Sequence, residues 1–190
     1  MMRGVSSFCG SANVMTPDGV KKISEVTAGD LLLTRDVGFQ PVVWVNKVKS
    51  SETVVEIDVD ALGDGKPDEV LTVSGRQRVL LTSPQILERF GEHEVLARAG
   101  DLLHFEGIRE IERSDDMFAL VFETHQVLRV NDAWLDSLQP DREVSKNLSH
   151  AQKASLKDAL PKLNDLPFDR SYPACRATLN ETFARQLVRC

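Results

Sequence analysis

From Asn13 to Pro140 the chain alternates between short apolar runs and turn residues, the punctuation of a β protein. Pro17-Asp18-Gly19 is a turn signal, because proline presets φ at the second turn position and glycine tolerates positive φ. Ala28-Gly29-Asp30 closes one segment before Leu31-Leu32-Leu33-Thr34 begins a strand. Gln40-Pro41-Val42-Val43-Trp44-Val45 predicts a second strand with Pro41 at its edge, since proline has no N–H for a ladder. Thr53 to Asp60 alternates cleanly, with Val55, Ile57 and Val59 on one face and Glu56, Asp58 and Asp60 on the other. That pattern predicts a half-buried strand with one wet side.

Leu62 to Pro67 is rich in turn residues, and Val70-Leu71-Thr72-Val73 and Val79-Leu80-Leu81-Thr82 follow as strands. Met117 to Phe122 is a continuous apolar run, too short for a helix and read as a buried strand. Val127 to Val130 is expected to pair with it across the polar connection Glu123-Thr124-His125-Gln126. Many short strands at close spacing predict a compact all-β body.

After Asp141 the pattern changes period. Ser149 and Gln152 have the spacing of a capping box, opening a helix through Leu156 and Leu160 that Pro161 halts. Beyond Pro173, Leu179, Phe183 and Leu187 recur every four residues as one apolar helical stripe. The expected organisation is a short leader over 1–6, a β domain over 7–140 and a helical extension over 141–190 packed on it. The stripe is also the candidate face for a protein partner if it stays uncovered.

Composition narrows the chemistry. The 190 residues are long enough to bury a core without a metal or disulfide staple, and 6% aromatic content leaves that core to aliphatics. A net charge of −6, with basic clusters as short as Lys21-Lys22 and Lys47 with Lys49, argues against nucleic-acid binding. No apolar stretch approaches the roughly 18 to 20 residues of a membrane helix, and no secretory signal opens the chain. Folding in the cytoplasm is the default expectation, with signal-independent secretion as the other route. Cys9, Cys175 and Cys190 form no CxxC pair and suggest no disulfide framework.

Spacing alone finds no catalytic site. The acidic loop from Asp58 to Asp64 has Leu62 where a further calcium ligand is needed and no closing glutamate, so it reads as a turn. The four histidines, His93, His104, His125 and His150, lack the spacing of a zinc site, and no glycine loop suits a phosphate. No cofactor is expected. A serine hydrolase built on Ser7 or Ser74 would need a GxSxG elbow, which is absent.

The order of motifs says more. Ser7-Phe8-Cys9-Gly10-Ser11-Ala12-Asn13-Val14 resembles the opening of the Hint (hedgehog/intein) superfamily, whose hedgehog autoprocessing domains begin Cys-Phe-x-Gly-Ser-Ala-x-Val. Ala28 to Asp36 and Gly38 to Val45 continue the likeness, the latter to the bacterial stand-alone branch. Leu71 to Leu80 is similar to that branch's Val-Ser-Pro-Gln-His-Arg-Val-Leu, and Leu120 to Val127 and Trp134 to Pro140 follow in order. The resemblance implies a β horseshoe of two pseudo-symmetric halves with a short helical C-terminal tail. It also implies self-cleavage at the residue that opens the domain: a side chain attacks the preceding carbonyl, and a histidine of a Thr/Ser-x-x-His segment protonates the departing nitrogen.

Carried over residue by residue, the resemblance places Ser7 as nucleophile, Ser74 and Gln77 in the Thr/Ser-x-x-His positions, and Thr72 and His125 as assisting groups. Three positions depart from the family pattern. Ser7 replaces a cysteine, and Cys9 two residues on reads as a buried bystander. Gln77 replaces the histidine; a neutral amide donates a hydrogen bond but delivers no proton, and losing a general acid costs about 10²- to 10⁴-fold in rate. Ala119 stands where a polar residue is common in that branch. The expectation is a Hint-type protein with weakened self-cleavage at Ser6–Ser7, or a non-catalytic scaffold that serves as an interaction module.

Overall fold

The computed structural model describes residues 5–48, 53–113, 115–164 and 168–187. Thirteen strands form within them: β1 Phe8–Cys9, β2 Asn13–Thr16, β3 Gly19–Lys22, β4 Leu31–Thr34, β5 Gly38–Val48, β6 Thr53–Ile57 and β7 Leu71–Val73. They continue as β8 Arg78–Leu81, β9 Val95–Arg98, β10 Ile108–Glu112, β11 Met117–Phe122, β12 Val127–Val130 and β13 Ala133–Asp136. Hydrogen bonding joins them in the order β10-β6-β7-β1-β11-β5-β4-β12-β13-β8-β9, with β2 on β12 and β3 on β2.

The long strand β5 makes the fold two-lobed. Its first residues pair with β4 (Thr34 opposite Gly38, Leu31 opposite Pro41), and its later ones pair with β11 (Phe122 opposite Val42, Met117 opposite Val48). One strand therefore serves two sheets. The changeover falls at Pro41 and at a bulge between Val121 and Phe122, where a missing donor and an extra residue cost least.

The apolar run Met117 to Phe122 is buried on both faces. Leu120 and Phe122 join the main core with Phe8, Leu71, Val73, Leu128 and Leu135. Met117, Ala119 and Val121 point the other way, into a second core with Trp44, Val48, Leu156, Leu160 and Tyr172. Two wet-free faces erase the alternation that marks a one-sided strand. Ala119, the position short of a polar group, is fully buried there.

The hairpin expected between Met117–Phe122 and Val127–Val130 does not form. β11 pairs with β5 and β1, whereas β12 pairs with β13, β2 and β4. The connection between them carries the chain from one lobe to the other and buries His125 and Gln126. The strand expected over 53–60 is also shorter. β6 ends at Ile57, Val59 is 53% exposed, and Asp60 turns the chain at φ 60° while its carboxylate accepts from Gly65 N–H at 2.8 Å.

Five α-helices and three short 3-10 turns complete the described chain, the α-helices being α1 Pro84–Phe90, α2 Arg142–Asn147, α3 His150–Ala159, α4 Phe168–Ser171 and α5 Glu181–Ala184. Helix α3 opens with the capping box read from the sequence, Ser149 and Gln152 satisfying each other's backbone N–H. It sits on β5: Trp44 Nε1 donates to Ser155 Oγ at 3.2 Å, and Leu156 and Leu160 fill the second core. Each buried aliphatic of this kind contributes about 1.5–3 kcal/mol of transfer free energy. The second helix is shorter than its stripe predicted. Only α5 is helical; Leu179 lies in an extended segment beside β9, Leu179 and Leu187 are buried in the main core, and Phe183 remains 44% exposed. The stripe is therefore mostly core. Val5 and Ser6, the described residues of the leader, are buried. No described helix is long and apolar enough to cross a membrane.

Candidate functional site

Ser7 enters the body just ahead of β1, a two-residue strand held between β7 and β11 (Phe8 opposite both Val73 and Phe118). That central placement buries the Ser6–Ser7 peptide. Gly10 keeps the segment close-packed, because a Cβ there would come within 2.8 Å of the Phe118 ring. Ser7 N–H donates to Ser74 Oγ at 3.1 Å, and Ser74 N–H returns a bond to the Ser7 carbonyl at 2.9 Å. Both hydroxyls then donate to one acceptor, the Val5 carbonyl: Ser74 Oγ at 2.9 Å and Ser7 Oγ at 3.2 Å. Ser6 Oγ donates to the Arg76 carbonyl at 3.0 Å. Every partner in this cluster is neutral.

Gln77 ends the 74–77 turn, whose Gln77 N–H donates to the Ser74 carbonyl at 2.9 Å. Its side chain is fully buried and turned toward β13. Nε2 donates to the Asp136 carbonyl at 2.7 Å and to Asp136 Oδ1 at 2.8 Å, while Oε1 has no hydrogen-bond partner among the described residues. The Arg78 carbonyl also lies 3.3 Å from Nε2; because all three neighbours of Nε2 are acceptors, the amide orientation follows from the contacts.

Asp136 is the hub of a second cluster. Arg78 Nε reaches its Oδ2 at 2.6 Å and Arg78 N–H its Oδ1 at 3.2 Å. Neither Asp136 nor the imidazole of His125 is solvent-exposed, and His125 Nε2 lies 2.9 Å from Asp136 Oδ2. The other ring nitrogen, Nδ1, accepts from Cys175 N–H at 3.0 Å. A backbone N–H can only donate, so Nδ1 carries the lone pair and the neutral ring bears its proton on Nε2, aimed at Asp136. A buried carboxylate with this many donors is satisfied rather than stranded.

Of the five residues picked from the sequence, the fold thus joins Ser7 with Ser74, and Gln77 with His125 through Asp136. Among the described residues no hydrogen bond links Gln77 or His125 to Ser6 or Ser7. Thr72 stands apart: it is buried on β7 opposite Glu56 and makes no hydrogen bond to the other four among the described residues. Cys9 is buried in the second core, its Sγ 3.2 Å from Ser11 Oγ. Asp136 and Arg78 were passed over in the sequence; the one available signal was a carboxylate closing the otherwise apolar run Ala133-Trp134-Leu135. No group of three or more His, Cys, Asp or Glu side chains among the described residues is placed to hold a metal ion.

A two-lobed antiparallel sheet threaded by a buried N-terminal strand defines the intein-like class of β proteins. A sequence profile described as the Hint domain matches residues 6–142, and the chain belongs to that family, a family of self-processing domains. Among solved structures, the MchDnaB-1 intein is 15% identical, covering 67% of this chain and 98% of its own, with a TM-score of 0.50. The gp41-1 intein is 17% identical over 70% of this chain and 98% of its own, with a TM-score of 0.46. A bacterial intein-like domain from Clostridium thermocellum is 12% identical over 71% of this chain and 99% of its own, with a TM-score of 0.49. At 15% identity the likeness to the MchDnaB-1 intein speaks for the fold alone. No curated protein matches the chain.

Proposed function

We propose that this protein is a Hint domain whose acyl shift at Ser6–Ser7 is too slow to yield a fragment, so that it persists as an intact folded module. The observation that carries the reading is the engagement of Gln77. The residue at the family's proton-donor position is an amide, and both of its N–H groups are directed at Asp136 instead of Ser7 N. Serine also needs a base, because its hydroxyl is far less acidic than a thiol. Ser7 Oγ donates to a carbonyl, which cannot remove the proton. Residues 7–140 act as the Hint unit and 141–190 as an extension whose buried side chains join both cores.

The interaction-module reading loses its best candidate surface, since two of the three stripe residues are buried. Intact mass of the purified chain, with and without hydroxylamine, tests the proposal. One full-length species under both conditions is expected. Ser7→Cys combined with Gln77→His should release a fragment beginning at residue 7, a gain of about 10²-fold or more from the restored acid. Fragmentation of the unsubstituted chain overturns the reading.

A further inference from the structure

His125 is closed off by the chain's own C-terminal segment. Tyr172 anchors one end, fully buried with its hydroxyl donating to the Phe122 carbonyl at 2.9 Å. Leu179 anchors the other, where its N–H donates to the Leu96 carbonyl at 2.8 Å. Between these anchors, residues 173–178 cross the Asp136–His125–Arg78 cluster. Leu96 N–H donates to the Ala177 carbonyl at 2.8 Å, a single parallel bridge that extends the edge of β9. Arg176 reaches Glu94 at 2.8 Å and Asp36 at 2.6 Å, and Arg78 Nη1 donates to Thr178 Oγ1 at 3.1 Å. Cys175 N–H takes the Nδ1 lone pair.

The span buries little apolar surface of its own. Pro173, Ala174, Ala177 and Thr178 are exposed, and Cys175 and Arg176 are only half-buried. A segment held by polar contacts between two fixed ends opens locally without global unfolding.

We propose that residues 173–178 are a displaceable strap masking a proton-accepting site, the Asp136–His125 pair. Lifting the strap presents the Nδ1 lone pair, with Asp136 behind the Nε2 proton, to an extended peptide segment laid along the β9 edge in the strap's place. Arg176 marks what such a segment carries: a cation opposite Glu94 and Asp36. The inference goes beyond the proposed function and holds whether or not the Ser6–Ser7 bond breaks.

Diethyl pyrocarbonate, which acylates a neutral imidazole through a free ring-nitrogen lone pair, tests it when peptide mapping follows each histidine separately. In the full chain His125 should react at least about tenfold more slowly than the exposed His93 and His150, matching roughly 1.4 kcal/mol of strap closure. Arg176→Ala, which removes the two ion pairs, and Cys175→Pro, which removes the N–H at Nδ1, should each raise the His125 rate about tenfold and leave His93 and His150 unchanged. Folded variants with an unchanged His125 rate, or an unsubstituted His125 as reactive as His93, overturn the proposal. Hydrogen exchange on the unsubstituted chain serves where a variant fails to fold. The amides of Cys175 and Leu96 should exchange through a shallower opening than those of β11; equal protection makes the strap part of the core and overturns the proposal.

Discussion

The two polar clusters of this molecule lie on either side of one short turn, 74–77, and are built from opposite materials. At the Ser7 end, hydroxyls and backbone groups satisfy one another around the Val5 carbonyl, and no charged group takes part. At the His125 end, a buried carboxylate gathers a guanidinium, an amide and an imidazole. On the proposed reading, a candidate nucleophile without a base sits beside a candidate base without a nucleophile. Under the proposed reading, the strands and hydrogen bonds of the Hint fold persist while its candidate reactive groups are held in separate networks.

Substitutions at the two ends should therefore differ in cost. Asp136→Ala leaves Arg78 without its buried partner and strips His125 Nε2–H and Gln77 of acceptors. Urea denaturation should show a loss of about 3–5 kcal/mol. A loss below that of Ser74→Ala would break the comparison. Ser74→Ala orphans the buried Ser7 N–H and removes one donor from Val5, which should cost about 1–2 kcal/mol.

Cysteine chemistry sharpens the contrast. Burial pushes the Cys175 thiol up to about 11, with Asp136 adding to the rise. Alkylation of Cys175 by iodoacetamide in the native chain should stay slow at pH 8 and accelerate on approach to pH 11, on opening of the 173–178 strap or on unfolding. A rate at pH 8 equal to that of the unfolded chain would contradict the burial.

The smallest effect is expected at Glu94. Burial raises its carboxyl, but hydrogen bonds from Arg35 and Arg176 outweigh that and hold it below the ordinary value of 4.5. A carboxyl lowered in the folded state contributes stability that is present above 4.5 and is lost as pH falls through the folded value. Glu94→Gln should flatten the acid side of the stability profile without steepening the neutral side, and added salt should shrink the difference. An unchanged acid limb would mean that the Arg35–Glu94–Arg176 contacts contribute nothing.

What the sequence made legible follows physical range. The capping box at Ser149 and Gln152 is contained within four residues and was readable outright. The strands over 31–34 and 117–122 were readable because burial selects apolar residues wherever the strand ends up. The β11–β12 hairpin was misread because a polar connection of four residues looks like a turn, and only the pairing of β12 with β13, β2 and β4 decides otherwise. Helix α1 also escaped the strand reading, although Ser83 caps it, Pro84 opens it and Gly91 closes it at φ 69°. Ser7, Ser74, Gln77 and His125 were picked out by the family likeness, and the fold places them in the two polar clusters. Asp136 was not, since its role depends on Arg78 and His125, which are distant from one another in sequence and meet only in the fold. Thr72 shows the converse: a matching residue type whose strand position keeps it out of the cluster.

The central claim is that Gln77 leaves the Ser6–Ser7 bond without a proton donor. The most direct measurement is intact mass over time for the unsubstituted chain beside the Ser7→Cys, Gln77→His double variant, each with and without hydroxylamine. The account predicts a single full-length mass for the first and a fragment beginning at residue 7 for the second. A fragment from the unsubstituted chain, or a folded double variant that stays whole, would contradict it.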